Sequence, residues 1–515
     1  MLSISRTNIL MSVLSRLAAF SAFVCLSVQL LTAQTISLPM IGLPDVEIER
    51  VTTCLHPEVQ VKDDPQPCTP LSARMSQLHV LGLSVALIHN GVIEWAAEFG
   101  VKQLGGALVN ADTLFQAGSI SKPVAAMGAL HLVQEKKLSL DEDVNTKLVS
   151  WKVPNGPAAN GKPVTLRELL THTAGFTVHG FPGYASTDPW PTLLQVLDGQ
   201  KPANTAPIRV ESEPGSKWNY SGGGYTVMQQ VLLDVTKEPF PKLMQETVFG
   251  PIGMTHSTYQ QPLPTDLQPQ AATPYLWDGT PVSGGAHTYP EMAAAGLWTT
   301  ASDLARYCIE IQQALKGKAN RVLSQDLAQQ MTTPGKGMWG LGLEIGGSAA
   351  DPYFSHGGVN AGFESLLVAY EHHGDGAVIM VNAQGGAALA SEVMESIATE
   401  YGWPDFRSVV HTQIKVDPAV LAHYVGSYEL FPNLSPMPKW QISITSEGGQ
   451  LIVEGLQMIP GAKQQPMFPL FPESQNKFFL KGMHAQLEFV TDDKGQLSYM
   501  ILHQGGQDLK GVKKK

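Results

Sequence analysis

A serine and a lysine stand three residues apart at the head of an apolar stretch of this chain. They are Ser119 and Lys122, in the run 115–122 that leads into residues 123–133. Positions i and i+3 of a helix lie on one face, so the lysine amine can reach the serine hydroxyl. A free serine is a weak nucleophile, and an amine that takes its proton activates it. The apolar residues that follow predict a buried helix, which would hold the pair rigidly.

The spacing S-x-x-K is weak evidence by itself, because it occurs by chance about once or twice in a chain of this length. The structural alternative makes Ser119 a helix N-cap and Lys122 a solvated residue of the first turn. Two later stretches favour chemistry: Tyr220-Ser-Gly222 opens a glycine-rich helical pattern, and His356-Gly-Gly358 precedes a strand-like run. In this order, the three motifs indicate one site with a hydroxyl, an amine, a phenol and an imidazole.

Strand-like runs lie at both ends of the region that carries these motifs. Residues 83–88 and 92–97 flank Asn90-Gly91, which is a strong hairpin signal, and residues 365–370 and 377–382 form a second pair. Helical patterns and loop-rich stretches lie between them, the loops at 175–218 and 260–290. The pattern predicts an α+β fold, with one antiparallel sheet flanked by helices and an inserted all-α lobe. The site should lie where the lobe meets the sheet, with the loops over it.

Short alternating runs separated by turn residues follow residue 418, which predicts a small all-β domain, a barrel being one form that it could take. This pattern shift divides the chain into predicted segments. They are a signal peptide at 1–33, an N-terminal extension at 34–70, a catalytic domain at 71–405, a linker at 406–415 and a β-rich accessory domain at 416–515.

The N-terminus reads as an export signal. Two arginines precede an apolar run at 17–31, and Leu31-Thr-Ala33 is a suitable cleavage site. The run is short for a membrane span and carries polar residues, so the mature protein is predicted to be periplasmic or extracellular, without a stable membrane span. In an oxidising compartment Cys54 and Cys68 could close a proline-rich loop as a disulfide. Cys308 shares an apolar helical face and is predicted to be a core residue.

The charge balance limits the partners. The 515 residues include 34 Lys and Arg against 45 Asp and Glu, a net charge of -11. This argues against nucleic acid or an anionic membrane surface as the partner. The chain lacks the paired His and Cys spacings of zinc sites and the glycine-rich loops that hold nucleotides, so no metal and no cofactor are expected. The expected partner is a small-molecule or peptide acyl substrate, and the oligomeric state stays open.

The three motifs together resemble those of the serine β-lactamase and penicillin-binding protein superfamily. The nearest resemblance is to its class C-like, D-alanyl-D-alanine carboxypeptidase and esterase branch. Residues 169–175 and 294–304 also look like signatures of this superfamily, and the resemblance covers about 71 to 401. It implies a β-lactamase/transpeptidase-like fold, and the β-rich tail is similar to accessory domains that this branch often carries.

The resemblance also implies roles for individual residues. Ser119 would attack an ester, amide or lactam carbonyl and form an acyl-enzyme that water hydrolyses. Lys122 and Tyr220 would share the proton transfers, and which of them takes the first proton is left open. Backbone N–H groups of Ser119 and Val359 would hold the oxyanion, beside Gly357, Gly358 and Gly222. His356 would line the site and could bind a substrate carboxylate or assist the proton relay.

Two departures from the family pattern bear on the substrate. Gly222 stands where the family often has an asparagine that contacts the acyl amide of a β-lactam or peptide. His356 stands where β-lactamases usually carry lysine, which gives a weaker charge at neutral pH. Both favour an esterase or a peptidase over strong β-lactam hydrolysis. The alternative is a catalytically weak or inactive fold that binds a cell-wall peptide or a protein. His172 is interpreted as a hydrogen-bonding residue of the fold rather than a metal ligand.

Overall fold

The computed structural model of the chain describes residues 46–63, 68–318, 321–431, 440–456, 467–481, 484–504 and 507–514. The predicted signal peptide lies outside these residues. Within them, every helix is too short or too polar to span a bilayer.

The described strands are numbered in chain order. They are β1 Val59–Val61, β2 Gly82–His89, β3 Val92–Gly100, β4 Phe115–Gln116, β5 Trp298–Thr299, β6 Glu344–Ser348, β7 Asp351–Asn360, β8 Phe363–Tyr370, β9 Gly376–Val381, β10 Val409–His411, β11 Gly426–Phe431, β12 Trp440–Glu447, β13 Gln450–Glu454, β14 Met467–Pro472, β15 Lys477–Phe479, β16 Ala485–Thr491, β17 Leu497–Gln504 and β18 Gln507–Lys513.

The described α-helices are numbered in the same way. They are α1 Val46–Thr53, α2 Leu71–Gln77, α3 Ser121–Gln134, α4 Leu166–Leu170, α5 Leu193–Asp198, α6 Gly222–Thr236, α7 Phe240–Met244, α8 Gly250–Ile252, α9 Met292–Ala295, α10 Ala301–Leu315, α11 Gln325–Thr332, α12 Ala387–Glu400 and α13 Pro418–Tyr424. A short 3-10 turn, Gly118–Ile120, leads directly into α3.

The central sheet confirms the prediction of one antiparallel sheet built from distant segments. Its strand order is β3-β2-β9-β8-β7-β6, and every neighbouring pair is antiparallel. The β2–β3 hairpin turns at Asn90 and Gly91, both with positive φ, which is the backbone that a two-residue hairpin prefers. The helices α3 to α11 are inserted between β3 and β6 and form the predicted helical lobe.

Helices cover both faces of this sheet. Val378 and Met380 of β9 join the core that also contains residues of α3 and α10. Ala377 and Ile379 point to the opposite face, where α12 packs on β8 and β9. Because side chains alternate along a strand, a strand that is buried throughout must be covered on both sides. The α+β fold predicted from the sequence is confirmed.

A closed barrel of strands β11 to β18 forms the C-terminal region, which confirms the predicted all-β domain. Alternate residues point inward; in β16 these are Ala485, Leu487 and Phe489, all buried. The N-terminal extension is tied to this end of the chain, because β1 pairs in parallel with β10 inside the predicted linker. Cys54 and Cys68 form a disulfide beside β1.

Two stretches differ from the sequence-based prediction. The supposed loop 175–218 contains α5, which begins at a capping box of Thr192 and Gln195 and ends at Gly199 in the left-handed conformation. Its six residues are too few to show a helical period. His356-Gly-Gly358 precedes β8, as predicted, but it also lies inside a strand of its own, β7, which the sequence does not predict because two glycines hide the β pattern around them.

Candidate active site

Ser119 and Lys122 meet at the start of α3. Lys122 Nζ lies 2.9 Å from Ser119 Oγ and donates a second hydrogen bond of 2.8 Å to the Ala294 carbonyl oxygen. The lysine side chain is buried, with 2% of its surface exposed, whereas Ser119 is partly exposed. The amine is therefore held away from water with its hydrogen bonds directed at the hydroxyl, and the solvated alternative for Lys122 is wrong.

The turn that carries Ser119 is fixed from two sides. Ser121 Oγ donates to the Gly118 carbonyl oxygen at 2.6 Å and accepts from the Leu297 N–H at 3.0 Å. Almost every residue of α3 is buried, as expected for a central helix. The backbone that carries Ser119 is thus held in place by hydrogen bonds and packing. A nucleophile needs such support if its oxygen is to approach a substrate carbonyl in a reactive geometry.

The Ser119 turn abuts the strand β7 at Gly118 and Gly358. A Cβ on Gly118 would lie 2.4 Å from the Val359 nitrogen, and a Cβ on Gly358 would lie 1.9 Å from the Ala117 carbonyl oxygen. Any side chain at either position would separate the turn from the strand. The two glycines therefore allow the Ser119 turn to approach β7 closely at Val359, the residue predicted to share the oxyanion site with Ser119.

Tyr220 precedes α6, and its side chain lies next to Lys122. Lys122 Nζ lies 5.0 Å from the centre of the Tyr220 ring. The ring of His172 packs against Tyr220 with centroids 4.3 Å apart, and the ring centroids of Trp339 and His356 lie 5.8 and 6.3 Å from Tyr220. The structure thus brings together all four predicted catalytic side chains.

His356 is buried and electrically neutral. Its Nδ1 donates to the carbonyl oxygen of Gly357 at 2.5 Å, so Nε2 is the unprotonated nitrogen, and Nε2 has no hydrogen-bond partner among the described residues. Burial, and then the charge of Lys122, lower the pKa of His356 to about 3. A neutral imidazole with a free acceptor atom can accept a hydrogen bond, but it supplies no positive charge for a substrate carboxylate.

Gly222 is the first residue of α6, and the ring of Phe181 lies beside it. A Cβ on Gly222 would lie 2.9 Å from Cε2 of Phe181 and 3.3 Å from the His179 carbonyl oxygen. The partly buried Phe181 ring therefore occupies the space into which a side chain at 222 would extend. This wall of the site is aromatic rather than amide-bearing.

Two further residues of the site are not singled out by the sequence as functional. Trp339 packs edge-on against His356, with ring centroids 5.4 Å apart, and His172 lies between Trp339 and Tyr220. Trp339 comes from a loop after α11 that carries no motif, so no local signal marks it. His172 lies in the stretch 169–175, which resembles a superfamily signature, but this resemblance does not indicate what His172 does.

Acid is expected to destabilise the fold through His356. The pKa of His356 is about 3 in the folded chain and about 6.5 in the unfolded chain, so between these pH values the unfolded chain binds a proton that the folded chain does not bind. The free energy of unfolding should fall as the pH drops from about 6.5 towards 3, by about 2–3 kcal/mol from this group at pH 4.5. Above pH 7 neither state binds the proton. Urea denaturation at pH 7 and 4.5 measures the difference.

His356→Asn is the matched variant for this measurement, because its amide can still donate to the Gly357 carbonyl oxygen but does not titrate. It should lose less stability than the wild type between the two pH values. A remainder is expected, since burial lowers the pKa of His172 in the same direction. Equal acid sensitivity of the two proteins would contradict the prediction.

Comparison with known proteins gives two family matches. The beta-lactamase family model matches residues 71–398, and a model described as a domain of unknown function, DUF3471, matches residues 411–513. A putative penicillin-binding protein of Bacillus subtilis, PbpX, is 28% identical over 308 residues, covering 59% of this chain and 71% of that protein. Another penicillin-binding protein of the same organism is 22% identical over 458 residues, covering 84% and 95%.

Among solved structures, the octameric penicillin-binding protein homologue from Pyrococcus abyssi is similar in fold. It has a TM-score of 0.56 and 20% sequence identity, and the match covers 85% of this chain and 98% of that chain. At this identity the likeness extends to the fold alone. Other matching relatives carry the names beta-lactamase and putative D-alanyl-D-alanine carboxypeptidase.

Proposed function

The chain belongs to the beta-lactamase family, and on that premise we propose that it is an exported serine acyl hydrolase that works through an acyl-enzyme on Ser119. The observation that carries this proposal is the 2.9 Å approach of the buried Lys122 Nζ to Ser119 Oγ. A hydroxyl paired with a desolvated amine on a rigid helix is the arrangement of an activated nucleophile. The Cys54–Cys68 disulfide supports export, because such bonds persist in oxidising compartments.

The reaction would proceed in two halves. Ser119 Oγ attacks the substrate carbonyl while its proton passes to the Lys122–Tyr220 pair, and the N–H groups of Ser119 and Val359 bind the oxyanion. The proton then goes to the leaving group, which departs and leaves an ester on Ser119. Water then attacks the carbonyl carbon of this ester and gives a proton to the Lys122–Tyr220 pair. The bond between the acyl carbon and Ser119 Oγ breaks, the proton returns to Ser119 Oγ, and the carboxylic acid leaves. Nε2 of the neutral His356 has no hydrogen-bond partner among the described residues, so it is free to accept a hydrogen bond from the substrate.

We propose an ester, rather than a β-lactam, as the better substrate. Phe181 fills the space beside Gly222, so this side of the site offers an aromatic face and no side-chain amide to an acyl amide group. His356 is neutral, so it supplies no positive charge for the carboxylate that penicillins carry. Both features favour an uncharged, apolar acyl group.

The proposal predicts rapid hydrolysis of p-nitrophenyl esters and no lasting adduct with a fluorescent penicillin. Ester turnover is followed by absorbance, and the adduct by intact-protein mass spectrometry. A lasting penicillin adduct on Ser119 with slow release would instead indicate a cell-wall peptidase, in which case the ester preference is wrong while the Ser119 acyl-enzyme stands.

A second candidate is a binding module for a cell-wall peptide or a protein that has lost catalysis. The absence of an asparagine at Gly222 is the feature that favours it. Intact Ser119, Lys122 and Tyr220 argue against it. Reaction of the folded protein with neither esters nor penicillin would support this candidate.

A further inference from the structure

His172 has a backbone conformation that is unusual for its residue type. Its φ is +58°, in the left-handed region that strongly favours glycine. It follows α4 in the Thr-His-Thr turn, and its side chain is buried, with 2% exposed. Non-glycine residues persist in this region only where the surroundings hold them, and such residues concentrate at functional sites.

Two contacts connect His172 to Tyr220. His172 Nδ1 accepts the backbone N–H of Ser221 at 3.1 Å, and Ser221 follows Tyr220 in the chain. The ring of His172 packs against the Tyr220 phenol with centroids 4.3 Å apart and planes tilted by 34°. One contact holds the backbone next to Tyr220 and the other holds its ring, so His172 restrains the tyrosine at both ends.

The protonation of His172 follows from the first contact. Because Nδ1 accepts a hydrogen bond, the proton of the neutral ring is on Nε2, which is buried and has no partner among the described residues. Burial, and then the charge of Lys122, lower the pKa of His172 well below its ordinary value. The ring therefore stays neutral and lies close to the amine of Lys122 without repelling it.

Packing alone does not account for a histidine at this position. Phenylalanine would fill the space between Tyr220 and Trp339 without burying an unpartnered N–H, and glycine would adopt the turn without strain. Only a side chain that both accepts the Ser221 N–H and presents a flat ring makes the two contacts together.

We propose that His172 is a positioning residue that holds the phenol of Tyr220 in its working orientation towards Lys122 and Ser119. The inference rests on the function proposed above, since it gives Tyr220 a share in proton transfer. His172 does not touch the reacting atoms. Its contribution is orientation, and loss of orientation near a reacting centre lowers the turnover rate more than it weakens substrate binding.

His172→Asn tests the proposal. Asparagine tolerates a positive φ, and its amide oxygen can accept the Ser221 N–H, so the turn is retained and the ring that packs against Tyr220 is lost. With a p-nitrophenyl ester, kcat should fall by about 10- to 100-fold while KM changes by less than about threefold. The same substitution at His131, a partly buried histidine at the far end of α3, should leave kcat within about twofold.

A double-mutant cycle with Tyr220→Phe separates positioning from general structural damage. If His172 acts through the Tyr220 hydroxyl, His172→Asn should cost less than about twofold when the hydroxyl is already absent. If Tyr220→Phe turns over the ester too slowly for kcat to be measured, the rate at which a fluorophosphonate labels Ser119 replaces kcat in the cycle. Mass spectrometry over hours measures this rate.

Two results would overturn the inference: an unchanged kcat in His172→Asn, or an undiminished loss in the Tyr220→Phe background. Neither would touch the proposed function. That function is tested separately by Ser119→Ala, and a Ser119→Ala protein that still turned over the ester would remove the proposed function and not merely the role of His172.

Discussion

Ser119→Ala is expected to abolish acylation and to reduce ester turnover by at least about 10⁴-fold, while the fold remains intact. Ser119 Oγ is the hydroxyl within 2.9 Å of the buried Lys122 amine, so its removal leaves the site without a nucleophile. The side chain is partly exposed and donates no hydrogen bond to the turn among the described residues, and the side chain that holds the turn is that of Ser121. Stability should therefore change by less than about 1 kcal/mol.

Intact-protein mass spectrometry with a fluorophosphonate measures this directly, since the wild type should gain one adduct and Ser119→Ala none. Ser221→Ala is the matched control. Ser221 Oγ accepts the Gly224 N–H as the N-cap of α6, so its loss should cost about 1 kcal/mol of stability and still permit the adduct. An adduct of equal yield on Ser119→Ala would place the nucleophile elsewhere and remove the proposed mechanism.

Much of the fold was predictable because its signals are local. Asn90-Gly91 marks its hairpin with two residues, and the apolar run after Lys122 marks a buried helix whose surroundings hardly matter to the prediction. The sequence also predicted that Ser119, Lys122, Tyr220 and His356 lie together. Short motifs allow this prediction because each one lies at the start of a helix or next to a strand. These features can be predicted without knowing which residues pack against them.

The remainder of the site depends on contacts between distant segments. The packing of His172 against Tyr220 joins residues 48 positions apart, and Trp339 reaches the same cluster from a loop after α11. Nothing in the sequence around Phe181 indicates that its ring fills the space beside Gly222. The sequence predicts only a weaker charge at His356, because the full neutrality of the ring and its free Nε2 follow from burial beside Lys122 and from the hydrogen bond to Gly357.

Burial of Lys122 links the chemistry of the site to its stability. The amine has 2% of its residue surface exposed, and no carboxylate among the described residues forms an ion pair with it. Its hydrogen bonds go to Ser119 Oγ and the Ala294 carbonyl oxygen. Removing a charged amine from water without a counter-charge costs several kcal/mol, and two hydrogen bonds of about 1.5–3 kcal/mol each roughly offset this cost. Lys122 is therefore not expected to stabilise the fold more than an apolar side chain of similar volume would.

Lys122→Met should therefore separate activity from stability. Methionine fills a similar volume in the buried site without an amine, so the free energy of unfolding is expected to equal or exceed that of the wild type. The acylation rate should fall by about 10³- to 10⁴-fold, since no group at this position can exchange a proton with Ser119. Urea denaturation measures the first effect and the rate of fluorophosphonate labelling measures the second.

Lys242→Met is the control for loss of a lysine in general. Lys242 lies on the surface in an i,i+4 ion pair with Glu238 at 2.7 Å, and such exposed pairs contribute less than about 1 kcal/mol. This variant should keep full activity and nearly unchanged stability. If Lys122→Met lost several kcal/mol of stability along with its activity, Lys122 would be a structural residue of the core. Only the combination of lost acylation and retained stability assigns the buried amine to catalysis, because the fold then gains nothing from it.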